Sequence, residues 1–190
     1  MTIPTHKPVT FTTTYLETLS GIMIPMSLKA NADVEREVSS VKSKFRAIHE
    51  DKFANAKASV IAEGLSFDDL KKVYVDAKIT IELSRLGEQV DEKRLESQRK
   101  KRFDLLVADK NASQLVDELA SLYVDIEERR MLLTQTVSRT LWNVLRKSTD
   151  IKQKMFTTVD ELEDSLDENT MLAIFNQNES NQITDEQAKN

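Results

Sequence analysis

Three glycines and three prolines are all that punctuate 190 residues, about 3% of the chain where average usage would supply roughly 12%. A backbone so rarely given the means to turn favours long helices. It offers too little turn chemistry for an all-β protein and too little glycine for the phosphate-cradling loops of nucleotide-binding enzymes. Hydrophobic residues at 39% and charged residues at 31% describe a modest core under a heavily solvated surface, with a net charge of −5. The absence of cysteine excludes disulfides and thiol nucleophiles, and His6 and His49 stand too far apart for a Cys/His zinc site. No run of about 20 apolar residues occurs, and the opening lacks the charged-then-apolar design of an export signal, so a cytoplasmic protein without a membrane span is expected.

Strand periodicity is confined to the start. Val9, Phe11, Thr13 and Tyr15 alternate, and after Ser20-Gly21 so do Ile22, Ile24, Met26 and Leu28. This predicts a β-hairpin over residues 1–30 that turns at Ser20-Gly21. Two strands alone are marginal in water, so the hairpin either lies on helices of its own chain or uses Ile22, Ile24 and Met26 as a self-association edge. From residue 31 the period becomes helical. Val34, Val38, Val41, Phe45 and Ile48 share one face of a helix expected to run from Asn31 or Asp33 to Gly64. Ser66 opens a second helix with the stripe Leu70, Val73, Ala77 and Ile81, ending at Leu86-Gly87. A third, solvated helix over 88–108 is anchored by Val90 and Leu95 at one end and by Phe103, Leu106 and Val107 at the other. A break at Asp109-Lys110-Asn111 precedes a segment from Ala112 to Lys147, in which Thr134, Thr136, Val137, Ser138 and Thr140 predict a kink. Thr157 and Thr158 cap one short helix, Asp167 opens another, and residues 177–190 form a polar tail expected to be disordered. The fold class expected is mainly α, with an N-terminal β-hairpin, a helical domain over 31–176 and short C-terminal helices: α+β overall.

Charge is segregated. Arg129, Arg130, Arg139, Arg146, Lys147, Lys152 and Lys154 face one acid, Asp150, whereas nine acids beyond Thr157 face only Lys189. The acidic helices are therefore expected to fold back on the basic helix, or each block to serve a partner. Carboxylate pairs such as Glu127-Glu128 and Asp160-Glu161 sit in charged runs that read as solvated faces, so no enzyme activity is expected. His49 borders the Phe45/Ile48 stripe and reads as a boundary residue, without metal or other cofactor. Arg99-Lys100-Lys101-Arg102 could track phosphates, but an acidic chain with 6% aromatic residues is not built as a nucleic-acid binder.

One pattern points further. Leu141-Trp142-Asn143-Val144-Leu145-Arg146-Lys147-Ser148-Thr149-Asp150, then Phe156-Thr157-Thr158-Val159-Asp160-Glu161-Leu162-Glu163, then Leu166-Asp167 and Met171-Leu172-Ala173-Ile174-Phe175 resemble the C-terminal region of the tail assembly chaperones of tailed bacteriophages. The hairpin is also similar to members of that family. Asp160 lengthens the Phe-Thr-x-x-Glu-Leu element by one residue. The resemblance implies a non-catalytic protein of the host cytoplasm, absent from the mature virion. It would bind the tape-measure protein and assist assembly of tail-tube subunits around it. Leu141, Trp142, Leu145, Phe156, Leu162 and Phe175 are the expected partner-binding residues, and charges at Trp142 and Leu145 should abolish client binding while sparing the fold. The alternative is a structural virion adaptor or baseplate protein docking through its hairpin.

Overall fold

The structure, a computed structural model, describes residues 6–85 and 92–179. Among them are four strands and seven helices, so the fold is mainly α with a small antiparallel sheet. The chain divides into two compact units: Met1–Lys42 with Met131–Asn190 (unit 1), and Ser43–Arg130 (unit 2). This division does not follow residues 30 and 176, because the hairpin shares its unit with the C-terminal segments.

Unit 1 begins with β1 (Lys7–Thr12) and β2 (Thr18–Met23), paired so that Val9 lies opposite Gly21. The hairpin is present, but its turn is at residues 13–17. Thr13 donates its amide to the Glu17 carbonyl at 2.8 Å and accepts the Glu17 amide on its hydroxyl at 3.2 Å. Gly21 sits inside β2, and its value is space: a Cβ there would lie 2.4 Å from Met155 Cε and 2.9 Å from the Arg146 carbonyl oxygen. Helix α1 (Leu28–Ala47) follows, capped by Ser27, whose hydroxyl accepts the Ala30 amide at 3.1 Å. The start therefore precedes the expected Asn31 or Asp33. Helix α5 (Ala112–Val144) runs for 33 residues with no break at the expected kink. Thr136 donates to the Leu132 carbonyl at 2.8 Å and Ser138 to Glu163 of the following short helix at 2.6 Å, and Val137 and Ser138 are buried, so packing outweighs propensity. The helix stops at Val144, where the chain enters β3 (Leu145–Lys147) and β4 (Asp150–Lys154). These strands had no alternating pattern to announce them, and they complete a sheet of order β1-β2-β3-β4.

Helix α6 (Val159–Ser165) begins at the expected Thr158 cap. The Thr158 hydroxyl accepts the Glu161 amide at 3.0 Å while the Glu161 carboxylate accepts the Thr157 amide at 2.6 Å. Asp167 likewise caps α7 (Glu168–Glu179) by accepting the Thr170 amide at 3.0 Å. That helix extends three residues into the segment expected to be a tail, whose remainder lies outside the described residues. The inner face of the sheet, the end of α5 and the two short helices enclose one core of Val9, Phe11, Met23, Val137, Leu141, Val144, Leu145, Phe156, Leu162, Leu166, Met171 and Ile174.

In unit 2 the helix expected to reach Gly64 is divided. The chain leaves helical geometry at Ile48 (φ −110°, ψ 15°), giving α2 (His49–Ala62) its own start. The stripe holds to the buried Phe45, but Ile48 and His49 are exposed, so the packing that would have kept the helix straight ends there. Gly64 ends α2 with φ 62°, as expected of a C-terminal cap. Ser66 caps α3 (Phe67–Arg85), accepting the Asp69 amide at 3.2 Å. Leu70, Tyr74, Val75, Ile79, Ile81 and Leu83 of α3 pack with Leu115, Leu119 and Leu122 of α5. No residue of α4 (Glu92–Val107) is buried, in keeping with a solvated helix, while Leu95, Phe103, Leu106 and Val107 rest against that core. The predicted anchor Val90 and the predicted stop at Leu86-Gly87 lie outside the described residues. Asp109 takes φ 60° at the break, and Asn111 and Gln114 cap each other at the start of α5.

Candidate functional site

The structure brings the expected partner-binding residues together, but as interior. Leu141, Leu145 and Leu162 are 0% exposed and Phe156 4%. Trp142 and Phe175 are partly buried against the same core. Four of the six therefore have nothing to offer a partner in the folded chain, and a charge at Leu145 would not spare the fold. They share that core with Val9, Phe11 and Met23 of β1 and β2, more than a hundred residues earlier in sequence than Leu141, and with Leu166, Met171 and Ile174.

The expected self-association edge is also occupied. Ile22 lies on β2 between two strands, opposite Pro8 of β1 and Arg146 of β3. Ile24 donates its amide to the Val144 carbonyl at 3.0 Å, and Met26 packs on the core. The edge strands of the sheet are β1 and β4, and β4 is the irregular one. Its register jumps between Arg146↔Lys154 and Lys147↔Asp150, leaving Ile151, Lys152 and Gln153 exposed and unpaired. An irregular, lysine-bearing edge resists further strand addition.

The C-terminal acidic helices do fold back on α5, through hydroxyl and amide contacts. Glu163 accepts from Ser138 at 2.6 Å and from Gln135 at 3.2 Å, while Arg139 pairs with Glu37 of α1 at 2.7 Å and also bonds Gln135. This network of hydrogen bonds and one ion pair ties α1, α5 and α6 together.

Two features were not singled out from the sequence. The first is cationic. Arg146 and Lys154 face each other across β3 and β4, both partly buried, and Lys154 Nζ lies 2.7 Å from the centre of the Trp142 ring. Burial lowers the Arg146 pKa; burial, then the Arg146 charge, bring the Lys154 ammonium down to about 8. Among the described residues neither has a carboxylate at ion-pair distance, and Arg146 spends one N–H on the Leu145 carbonyl at 2.9 Å. The sequence signal was the basic block, but not which of its members would be desolvated. Because the folded chain holds Lys154 near 8 against an ordinary 10.5, the penalty is complete below pH 8 and disappears as pH rises toward 10.5. Lys154→Met should therefore stabilise the protein at pH 7, by on the order of 1–2 kcal/mol once the attraction of the indole ring is set against desolvation. Thermal midpoints at pH 7 and pH 10 check this: the gain should shrink at the higher pH, and a loss at pH 7 would refute it.

The second is the hairpin tip. Tyr15 and Leu16 are 70% and 86% exposed, and Leu16 is held at φ 62°, a conformation costly for a branched side chain. The tip is fastened to the end of α6, where the Thr14 amide bonds the Ser165 carbonyl at 2.8 Å and its hydroxyl bonds the Asp164 carbonyl at 2.9 Å. Two apolar side chains are thus displayed on a rigid support.

Unit 2 offers less. Arg99 grips Asp76 with two bonds of 2.6 Å and Arg102 pairs with Glu82 at 2.7 Å, so half of the basic run is already neutralised by α3. The Tyr74 hydroxyl donates to Glu118 at 2.5 Å, and burial followed by that carboxylate raises its pKa. Burial would raise Glu118 as well, but hydrogen bonds from Lys110 and Tyr74 outweigh it and hold the carboxylate low. The group ties α3 to α5. Among the described residues no cluster of three or more potential metal ligands occurs, and no helix is long and apolar enough to cross a membrane. No protein-family model, curated protein or solved structure matches this chain.

Proposed function

We propose that this chain is a non-catalytic tail assembly chaperone of a tailed bacteriophage. It binds the apolar helical tape-measure protein in the host cytoplasm, assists tube assembly and is left out of the finished particle. The observation that carries this reading is that the segments resembling those chaperones, the hairpin and residues 141–175, belong to one core rather than to unrelated parts of the chain. The rigid display of Tyr15 and Leu16 adds support, since a holder of apolar helices needs exposed apolar side chains that do not collapse on themselves. The adaptor alternative would dock through the hairpin, of which β3 covers the β2 side while β1 remains an edge of the sheet.

Co-expression with the tape-measure protein encoded in the same genome, followed by pull-down and a solubility assay, tests the reading. Co-purification with rescued solubility is expected, lost in a Tyr15→Ser/Leu16→Gly variant whose thermal midpoint is unchanged or raised. Absence of binding, with this protein instead found at stoichiometric levels in purified particles by mass spectrometry, would establish the adaptor.

A further inference from the structure

The outer face of the sheet carries a single cross-strand row: Pro8 on β1, Ile22 on β2, Arg146 on β3 and Lys154 on β4. Val9, Phe11, Gly21, Met23 and Leu145 occupy the opposite, buried face, so this row points away from the core. Like charges directly opposed across strands weaken a sheet, and here both are also partly desolvated. Nearby carboxylates serve elsewhere. Asp150, the only acid of the β3–β4 hairpin, accepts the Lys152 amide at 2.9 Å, and Glu161 accepts the Thr157 amide while sensing the charge of Lys147. Among the described residues this costly juxtaposition has no counter-charge, so an acidic group from beyond them would relieve it.

We infer that Arg146 and Lys154 seat a carboxylate from an acidic protein segment, with Ile22 and Pro8 receiving an apolar side chain next to it. The remaining guanidinium N–H groups of Arg146 supply the planar fork that a carboxylate matches, and Lys154, fixed over the indole, supplies a point charge beside it. Nucleic acid fits less well. The one aromatic ring at the site is covered by Lys154 and cannot stack a base, and the row runs from two cations straight into apolar Ile22 and Pro8 instead of tracking a repeating polyanion. The seat stands whether or not the partner is a tape-measure protein.

Trp142 is the only tryptophan, so its emission reports on this site alone. The full chain should be titrated by calorimetry and Trp142 fluorescence with an acetylated peptide carrying Glu-Leu-Glu between Gly-Ser flanks. The Gln-Leu-Gln peptide, inorganic phosphate and a single-stranded DNA oligomer are titrated in parallel. Saturable binding of the glutamate peptide is expected, with a change in Trp142 emission and at least ten-fold weaker binding of the glutamine peptide. Arg146→Gln and Lys154→Gln should each reduce calorimetric affinity about ten-fold in chains that remain folded by circular dichroism, whereas Lys152→Gln, at an exposed neighbouring lysine, should reduce it less than two-fold. Equal binding of both peptides, no binding at millimolar peptide, or equal losses from all three variants would overturn the inference. Preferential binding of phosphate or DNA would overturn it too, by making this a phosphate site.

Discussion

Leu145→Asp should abolish the cooperative unfolding of unit 1. Leu145 is 0% exposed, opposes Met23 in the β2–β3 ladder and packs in the core that β1, β2, α5, α6 and α7 share. An unpaired carboxylate there cannot be solvated, and its burial alone approaches the 5–15 kcal/mol by which a domain is typically stable. Leu145→Ala, which leaves a cavity but no charge, should cost about 2–5 kcal/mol and keep a transition at lower temperature. Near-ultraviolet circular dichroism of Trp142 and amide exchange over residues 7–23 distinguish the two. A native spectrum for Leu145→Asp would mean that this leucine is an accessible partner contact after all.

Gly21→Val should be the next most damaging substitution, at about 3 kcal/mol. The new Cβ would come within 2.4 Å of Met155 Cε, which can move, and within 2.9 Å of the Arg146 carbonyl, which is backbone and cannot without loosening β3 from β2. Chemical denaturation measures the loss, and Gly21→Val combined with Met155→Ala should recover only part of it. Full recovery would show that the strand contact is not the limiting one.

Both substitutions fall where the sequence was hardest to read. Helices and their caps were legible because they are local: Ser66, Gly64, Asn111, Thr158 and Asp167 end or begin helices through bonds to residues within a few positions. The fold class followed from the same signals. The break at Ile48, the unbroken α5 and the short β3 and β4 were not legible, since each depends on packing whose partners lie far along the chain. The candidate site suffered most. Leu141, Leu145, Phe156 and Leu162 were correctly read as apolar and clustered, but periodicity cannot tell a covered stripe from an offered one, and here the cover includes Val9, Phe11 and Met23. Conversely, Arg146 and Lys154 were two charges of a basic block expected to meet the acidic helices or a partner, and only the β3–β4 register reveals that they confront each other.

That register has a consequence for how the molecule is made. The inner face of the β1–β2 hairpin leaves the ribosome early, yet its third strand and much of its core arrive only with residues 131–175. At about 5–20 residues per second of synthesis, Val9, Phe11 and Met23 wait roughly 6–30 s for Leu141, Leu145 and Phe156. Throughout that interval β2 has an open edge and an uncovered apolar face, and the nascent chain is then most vulnerable to aggregation or premature capture by another polypeptide. The last third of the chain thus acts toward the first as a latecoming partner in cis, and premature termination before Leu145 would strand the hairpin without it.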